Sequence, residues 1–461
     1  MTEPVLLWFR RDLRLADHPA LAAAARAGPL IPVFILDEET LRPLGGAARW
    51  WLHHALASLS RDLPLVLRRG RAAAVLQQLA AETGASAIYF SRGHEPGEVR
   101  QEQEVKAWAG GRGVGLHRHG GVLLHEPETI TTGQGTPFKV FTPFSRAVKA
   151  APPRPPKPKA AWTLADPQPP GDTLAQWQLL PARPNWARGF ASHWQPGEAG
   201  ARQRLADFLD EHVAAYARDR DVPARPATSR LSPHLHWGEI SPAQIWSATH
   251  ASMAAAGGLQ DEGGGKFLSE LIWREFCAHL LFHFPHLTDQ PFRAEFANFP
   301  WTDDHAAMRR WQRAETGYPL VDAGLRELWI TGTMHNRVRM IVASFLVKHL
   351  MQHWRQGEAW FWDTLVDADI ASNAANWQWV AGSGADAAPF FRIFNPVLQG
   401  ETFDPDGAYV RRWLPELASV ANKHVHAPWT LPEAARPKHY PPPMVDHGAA
   451  RARALATFKA L

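Results

Sequence analysis

The sequence predicts an α/β N-terminal half, built on a parallel five-stranded Rossmann-like sheet, followed by an all-α C-terminal half. Three observations predict it. From residue 4 to about 125, short apolar runs alternate with Ala-rich or amphipathic stretches, the pattern of buried strands joined by helices. Between about 150 and 200, Pro clusters interrupt that pattern. Beyond about 200, apolar residues recur at helical spacing with few strand signals. The expected division is residues 1–130, a Pro-rich interdomain connection over 131–200, and a helical domain over 201–461.

Taken in order, Val5-Leu6-Leu7-Trp8-Phe9 and Leu30-Ile31-Pro32-Val33-Phe34-Ile35-Leu36 read as buried strands. Leu65-Val66-Leu67, Ile88-Tyr89-Phe90 and Val114-Gly115-Leu116 are shorter ones. Asp17 is placed to cap the first helix, with Pro19 just inside it. Such sheets bind ligands at the carboxyl ends of their strands. No GxGxxG follows the first strand, so an ordinary dinucleotide fingerprint is missing. The run from Ala151 to Lys159 reads as extended and polyproline-like. In the helical half, Asp207 to Tyr216, Phe267 to Phe284 and Met334 to Trp354 carry helical periodicity.

Composition narrows the class. A chain of 461 residues buries enough surface to fold without a disulfide or metal staple. The single cysteine, Cys277, excludes a disulfide scaffold. No apolar run approaches the roughly 18 residues of a membrane span. The opening Met1-Thr2-Glu3-Pro4 has no basic stretch, so no secretory leader is expected. A cytoplasmic placement is expected, nucleoid-associated if the source is bacterial. The net charge of +4, with 23 His, permits nucleic-acid binding without establishing it. The 21 Trp against 5 Tyr exceed what core packing asks for.

Five constellations can carry chemistry. Thr228-Ser229-Arg230-Leu231-Ser232-Pro233 sets hydroxyls and a fixed charge before a helix, as a phosphate needs, or simply caps that helix through Ser232. His234 and His236 lack third and fourth partners for a metal. Glu270, Trp273, Arg274 and Cys277 share a helix face, where an ion pair of Arg274 with Glu270 or Glu275 is the commoner explanation. Asn336, Arg339 and Met340 share another, with Asn336 either partnered by a polar group or placed in the first turn near Thr333. Asp367 and Asp369 can hold a divalent cation, act as acid and base, or cap a helix. Asp369, Asn373 and Trp377 follow at i, i+4 and i+8. The Trp population itself suits core packing, base stacking or electron transfer.

Together these strings resemble the DNA photolyase and cryptochrome family. Trp8-Phe9-Arg10-Arg11-Asp12-Leu13-Arg14 is similar to its N-terminal signature. Thr228 to Ser241, Glu270 to Phe276, Thr316 to Ala323, His335 to Met340 and Trp377-Gln378-Trp379 match its C-terminal motifs in order, so the resemblance covers nearly the whole chain. It implies an all-α FAD-binding domain holding one reduced, folded FAD per chain. It also implies light-driven repair of ultraviolet-damaged DNA, with a cyclobutane pyrimidine dimer flipped from the duplex and split by an electron from the excited cofactor.

Carried over by resemblance, Tyr216, Thr228, Ser229, Arg230, Leu231 and Ser232 contact phosphate and ribose. Trp273, Arg274, Asn336 and Arg339 line the flavin. Asp367, Ala368 and Asp369 lie at the ribose and ring edge, and Asn373 faces flavin N5. These assignments leave no metal site. Glu270 becomes the hydrogen-bond donor to the dimer, a carboxyl expected to be buried and raised in pKa. Trp273 and Trp379 wall the flipped bases, and Met340 lies over them. Arg220, Arg337 and Gln399, with Glu270, Trp273 and Asn336, contact DNA. Trp377, Trp354 and Trp301 form an electron relay to the surface.

Within the resemblance, Asn336 and Met340 stand where enzymes for (6-4) lesions carry His, and Asn373 stands where plant cryptochromes carry Asp. The chain also lacks the C-terminal tail that many cryptochromes append. These features place it with class I cyclobutane pyrimidine dimer photolyases and make a signalling blue-light receptor the alternative. Thr333 replaces an expected aromatic. Gly97 stands where folate-binding members have Glu, which disfavours a folate antenna and leaves a deazaflavin, a second flavin or none. A monomer without membrane contact is expected.

Overall fold

The computed structural model describes residues 3–386 and 391–461; Met1 and Thr2 of the opening lie outside the described residues. Five strands form one parallel sheet: β1 (Val5–Phe9), β2 (Leu30–Leu36), β3 (Val66–Arg69), β4 (Ala87–Ser91) and β5 (Gly115–His119). Their order is β3-β2-β1-β4-β5. β1 and β2 are buried along their whole length, because helices cover both faces of a parallel sheet. Pro32 is tolerated because β3 pairs with β2 only from Val33 onward, leaving one side of Pro32 without a strand neighbour. The helices here are α1 (Pro19–Ala27), α2 (Gly46–Asp62), α3 (Ala72–Thr83) and α4 (Pro96–Ala109). Leu76 and Leu79 of α3 and Val105 of α4 pack on Leu6, Trp8, Ile31, Val33 and Ile88 of the sheet.

The chain falls into two compact units. One comprises Met1–Asn185, Trp194–Ala214 and Ser229–Pro285; the other comprises Trp186–His193, Ala215–Thr228 and His286–Leu461. The first unit therefore contains the Pro-rich run read as part of a connection. That run is anchored: Leu30 donates to Thr163 O and Ala165 donates back to Leu30 O, and Lys157 N donates to Asp17 Oδ1.

Asp17 does not cap α1. His18 occupies the cap, its Nδ1 accepting from Leu21 N at 3.1 Å. Asp17 adopts a left-handed φ of 50° and gathers Arg154, Lys157 and the Ser241 hydroxyl instead. Burial raises its pKa and these donors, Arg154 foremost, pull it below the usual carboxylate range. A tertiary cluster outcompetes the local cap.

After α5 (Phe141–Ala150), the first unit's principal helix is α6 (Asp261–His283). The second unit contains α7 (Pro319–Thr331), α8 (Asn336–Ser344), α9 (Trp354–Thr364), α10 (Ile370–Ala381), α11 (Pro396–Phe403) and α12 (His447–Lys459). The stretch from Met334 to Trp354 is thus not one helix. After α8 a wide π turn spans Phe345–His349, Met351 takes a φ of 56°, and Thr302 N donates to Met351 O. The apolar pattern runs on through this break because Phe345 to Gln352 are all buried.

The segment before α12 is tied to the α7 region. Tyr440 donates to Asp322 Oδ2 at 2.7 Å, Met444 N to Thr316 O, and Tyr318 to Val445 O. His349 and His447 share a 2.8 Å hydrogen bond. Asp322 is fully buried, and burial raises its pKa to about 6 against the pull of Tyr440 and Thr316. Among the described residues no helix is long and apolar enough to cross a membrane.

Candidate functional site

In the second unit the chemistry-bearing residues concentrate on α10 and on the turn before α8. Asp369 caps α10, its Oδ1 accepting from Ser372 N at 2.6 Å, so the cap reading of this residue is the one realised. One turn on, Asn373 is buried and its Nδ2 donates to Glu358 Oε1 at 2.7 Å and to Glu358 O at 3.0 Å. Two acceptors on one residue of α9 fix the amide's orientation and leave its Oδ1 as the atom it presents. Trp377 is buried against Phe361 at 4.9 Å and Trp311 at 6.5 Å between ring centroids. Its ring also lies on Gly357 of α9, where a Cβ would stand 2.1 Å from Trp377 Cη2. Only glycine lets the indole come this close. Trp379 is half-buried, with its Nε1 donating to Asp386 O at 3.1 Å.

The turn from Thr331 to Asn336 is held from several sides. Gly332 ends α7 in the left-handed region, at a φ of 71°. Arg339 reaches back, its Nε donating to Met334 O at 2.7 Å and its Nη2 to Thr333 Oγ1 at 3.1 Å and Asp367 Oδ2 at 3.0 Å. Thr333, found where an aromatic was expected, therefore accepts from the Arg339 guanidinium. Glu327 Oε2 accepts from His335 N, and His335 caps α8 through Arg337 N. Burial lowers the His335 imidazole to about 4. Asn336 is the first residue of α8 and is exposed, and Met340 is half-buried. The first-turn reading of Asn336 is thus the observed one. Ala368 and Tyr216 are buried and Thr228 is half-buried.

Arg337 donates to Asp221 Oδ2 at 2.6 Å and its guanidinium lies 4.4 Å from the Phe403 centroid. Arg220 lies 3.9 Å from Asp221 and 5.5 Å from the Tyr216 centroid. The two arginines expected at DNA thus flank one aspartate. Gln399 is half-buried on α11, its Oε1 making no hydrogen bond. Trp354 is buried, and Trp301 is half-buried. His353 is near both, with ring centroids 5.6 Å from Trp354 and 5.4 Å from Trp301.

In the first unit, α6 corrects one expectation. Glu270 is not buried: its side chain is 27% exposed and pairs with Lys266 at 3.2 Å. The buried carboxyl of this helix is Glu275, one turn on. It accepts from Leu124 N at 2.7 Å and from Arg274 at 3.1 Å. Burial pushes Glu275 up to about 7, and Arg274 pulls it down less strongly. Arg274 also donates to Val122 O, and Trp273 stacks on Phe141 with centroids 3.6 Å apart and planes 3° from parallel. Cys277 is buried.

Ser232 does not cap the helix Ser232–His236. Leu231 occupies the cap and Ser232 is exposed. Arg230 takes a φ of 51° and lies 4.4 Å from the Trp194 centroid; Ser229 is half-buried beside it. His234 pairs with Glu239, which also accepts from Trp51. Among the described residues no group of three or more His, Cys, Asp or Glu gathers as a metal ion requires. At Gly97 a Cβ would meet Leu41 Cδ2 at 3.0 Å and Thr40 O at 3.2 Å, so the backbone is crowded where Glu was compared. The ion pair of Arg274 with Glu275 expected from spacing is present, but sequence reasoning missed Glu358 and the burial of Glu275. Neither carries a local signal, because each matters through a partner distant in the chain.

A five-stranded parallel sheet is followed by helices that present an oriented amide, an arginine–aspartate pair and buried indoles. Comparison with known proteins is specific. The family described as DNA photolyase matches residues 5–161, and the FAD binding domain of DNA photolyase matches residues 267–460. Deoxyribodipyrimidine photo-lyase of Agrobacterium fabrum is 50% identical over 475 residues, covering 100% of this chain and 98% of that protein. Cryptochrome-1 of Arabidopsis thaliana is 35% identical, covering 97% of this chain and 69% of that protein. A bacterial class III photolyase structure from Agrobacterium tumefaciens superposes with a TM-score of 0.96 at 50% identity, covering 100% of this chain and 98% of that one. An archaeal photolyase from Sulfolobus tokodaii with two FAD molecules gives 0.85 at 29% identity, covering 99% and 100%. The chain belongs to the DNA photolyase and cryptochrome family. The class I subtype expected from sequence finds no support in these relatives, since the 50%-identical structure is of a class III photolyase.

Proposed function

We propose that this chain is a light-driven photolyase that splits cyclobutane pyrimidine dimers in DNA, of the class III type. The observation that carries the reading is the Asn373 amide, whose orientation by Glu358 leaves an acceptor oxygen. A reduced flavin bears a proton on N5 and is a donor there, so the residue present fits reduced FAD. Arg339, which donates to both Asp367 and Thr333, holds with Asp367 a polar edge for the ring and ribose. Ala368, Asp369, Asn336, Tyr216 and Thr228 keep the cofactor assignments of the resemblance, as do Ser229, Arg230, Leu231, Ser232, Trp273 and Arg274. When bound, reduced FAD supplies one electron to the dimer and recovers it after the ring opens.

The remaining residues bind and orient. Arg220, Arg337 and Gln399 meet the damaged strand, and the Asp221 that now neutralises the arginines yields them to phosphate. Trp379 and Met340 exclude water around the flipped bases. Glu270, exposed to 27% and paired with Lys266 on its own helix, is accessible to a dimer carbonyl. Trp377, Trp354 and Trp301 carry electrons inward when the cofactor is oxidised. The crowding at Gly97 supports an antenna other than folate, or none.

The test is repair of an oligonucleotide carrying one cyclobutane thymine dimer by purified, photoreduced protein under blue light. Restored thymines are expected. Intact dimers, with flavin bound and reduced, would establish the blue-light receptor in place of the enzyme.

A further inference from the structure

We propose that His353 is a positioning residue and a charge gate in the tryptophan relay, passing the hole between Trp354 and Trp301 only while its imidazole is neutral. The inference rests on the relay reading above and adds a residue and a control to it.

The geometry is local to the second unit. The His353 ring lies 5.4 Å from Trp301, at 62° to it, and 5.6 Å from Trp354, at 30°. His353 also caps the helix that carries Trp354: its Nδ1 accepts from Arg355 N at 3.1 Å. Nδ1 can accept only when unprotonated, so the neutral ring carries its proton on Nε2. One side chain therefore fixes the start of α9 and contacts both indoles.

The surroundings keep this ring neutral at ordinary pH. Burial lowers its pKa below 6.5, and Arg355 lowers it further. The charged groups on the neighbouring segments are engaged elsewhere. Asp303 accepts from Gln356, Asp304 caps the helix beginning at His305, and His305 lies 3.9 Å from Asp303. Lys348 donates to Ala381 O, and His349 shares its hydrogen bond with His447.

In the relay step, one electron passes from Trp301 to the Trp354 radical cation. Trp301 takes the positive charge and releases its indole N–H proton to water, and an external thiol then returns a hydrogen atom. An imidazolium beside both rings places a like charge near the arriving hole and removes the acceptor that caps α9. Both effects oppose transfer in acid.

The experiment measures the photoreduction rate of native holoprotein as a function of pH, alongside the His353 ring proton followed by NMR. His353→Asn keeps a capping oxygen but does not titrate. Wild-type photoreduction is expected to fall at least about fivefold from pH about 8 to about 5, with the midpoint of the His353 NMR titration. H353N is expected to lose that fall. Parallel profiles in both proteins, or an imidazole that stays neutral throughout, overturn the gate. Trp301→Phe separates the two readings: unchanged photoreduction sinks the relay itself, whereas its loss together with parallel profiles sinks only His353.

Discussion

Helices α6 and α10 invite comparison because sequence spacing selects them in the same way, each lining up a carboxylate, an indole and a polar group on one face. The structure treats them differently. On α10, Asp369 is spent on the helix cap, Asn373 is locked by Glu358, and Trp377 is wedged on Gly357. On α6, Glu270 pairs with Lys266 along the helix, and the buried carboxyl is Glu275. The lesson is that equal periodicity does not mean equal preorganisation. A face whose groups are held by a second element has its geometry before any ligand arrives; a face paired along its own helix adapts when one does.

The contrast can be broken or sharpened by substitution. The largest effect is expected from Gly357→Ala, which drives a methyl into the Trp377 ring. It should destabilise the protein by about 1–3 kcal/mol and slow photoreduction, as denaturant titration and flavin absorbance would show; a variant unaffected in both would mean that Trp377 is not wedged. Asn373→Leu should cost about 1–3 kcal/mol, because it removes two hydrogen bonds donated to the buried Glu358, and should weaken retention of reduced flavin. Wild-type stability with normal flavin content would dissolve the claim that the amide is oriented in advance.

Glu275→Gln tests the other helix. A folded pKa of about 7 lies above the ordinary 4.5, so the folded state binds the extra proton between those values. The associated stability is present below about 4.5 and is lost as pH rises through about 7. Comparing urea denaturation of wild type and E275Q across that window should show the difference growing with pH in favour of E275Q; a constant difference would place Glu275 outside this titration. The smallest effect on stability belongs to Glu270→Ala, under about 0.5 kcal/mol for an exposed i,i+4 pair. Repair yield should nevertheless drop with flavin still bound. Loss of flavin would make Glu270 a structural residue after all.

Much of the architecture was legible. The five strands lie where continuous apolar runs place them, shifted by up to three residues at their ends, and Asn373 and Trp377 share the helix that Asp369 caps. Local pattern suffices there because burial of a strand or helix face is written in its own spacing. What escaped depends on partners far along the chain. Glu275 is buried by the backbone at Leu124, Asp17 is diverted from its cap by Arg154 and Ser241, and the break at Met351 is stabilised by Thr302. Nothing within a few residues of these positions announces such partners. The resemblance to a family supplied roles that spacing alone left open, yet it also carried the buried state of Glu270, which this chain does not have.

The strap from Tyr440 to His447 has a consequence for biosynthesis. Asp322, Thr316, Tyr318 and His349 complete their hydrogen bonds only with residues more than ninety positions further along. A nascent chain emerging from the ribosome must therefore hold the α7 region in an unfinished state until residue 447 has cleared the exit tunnel. The second unit can complete its folding only after those residues are free to dock, whatever the speed of its individual helices.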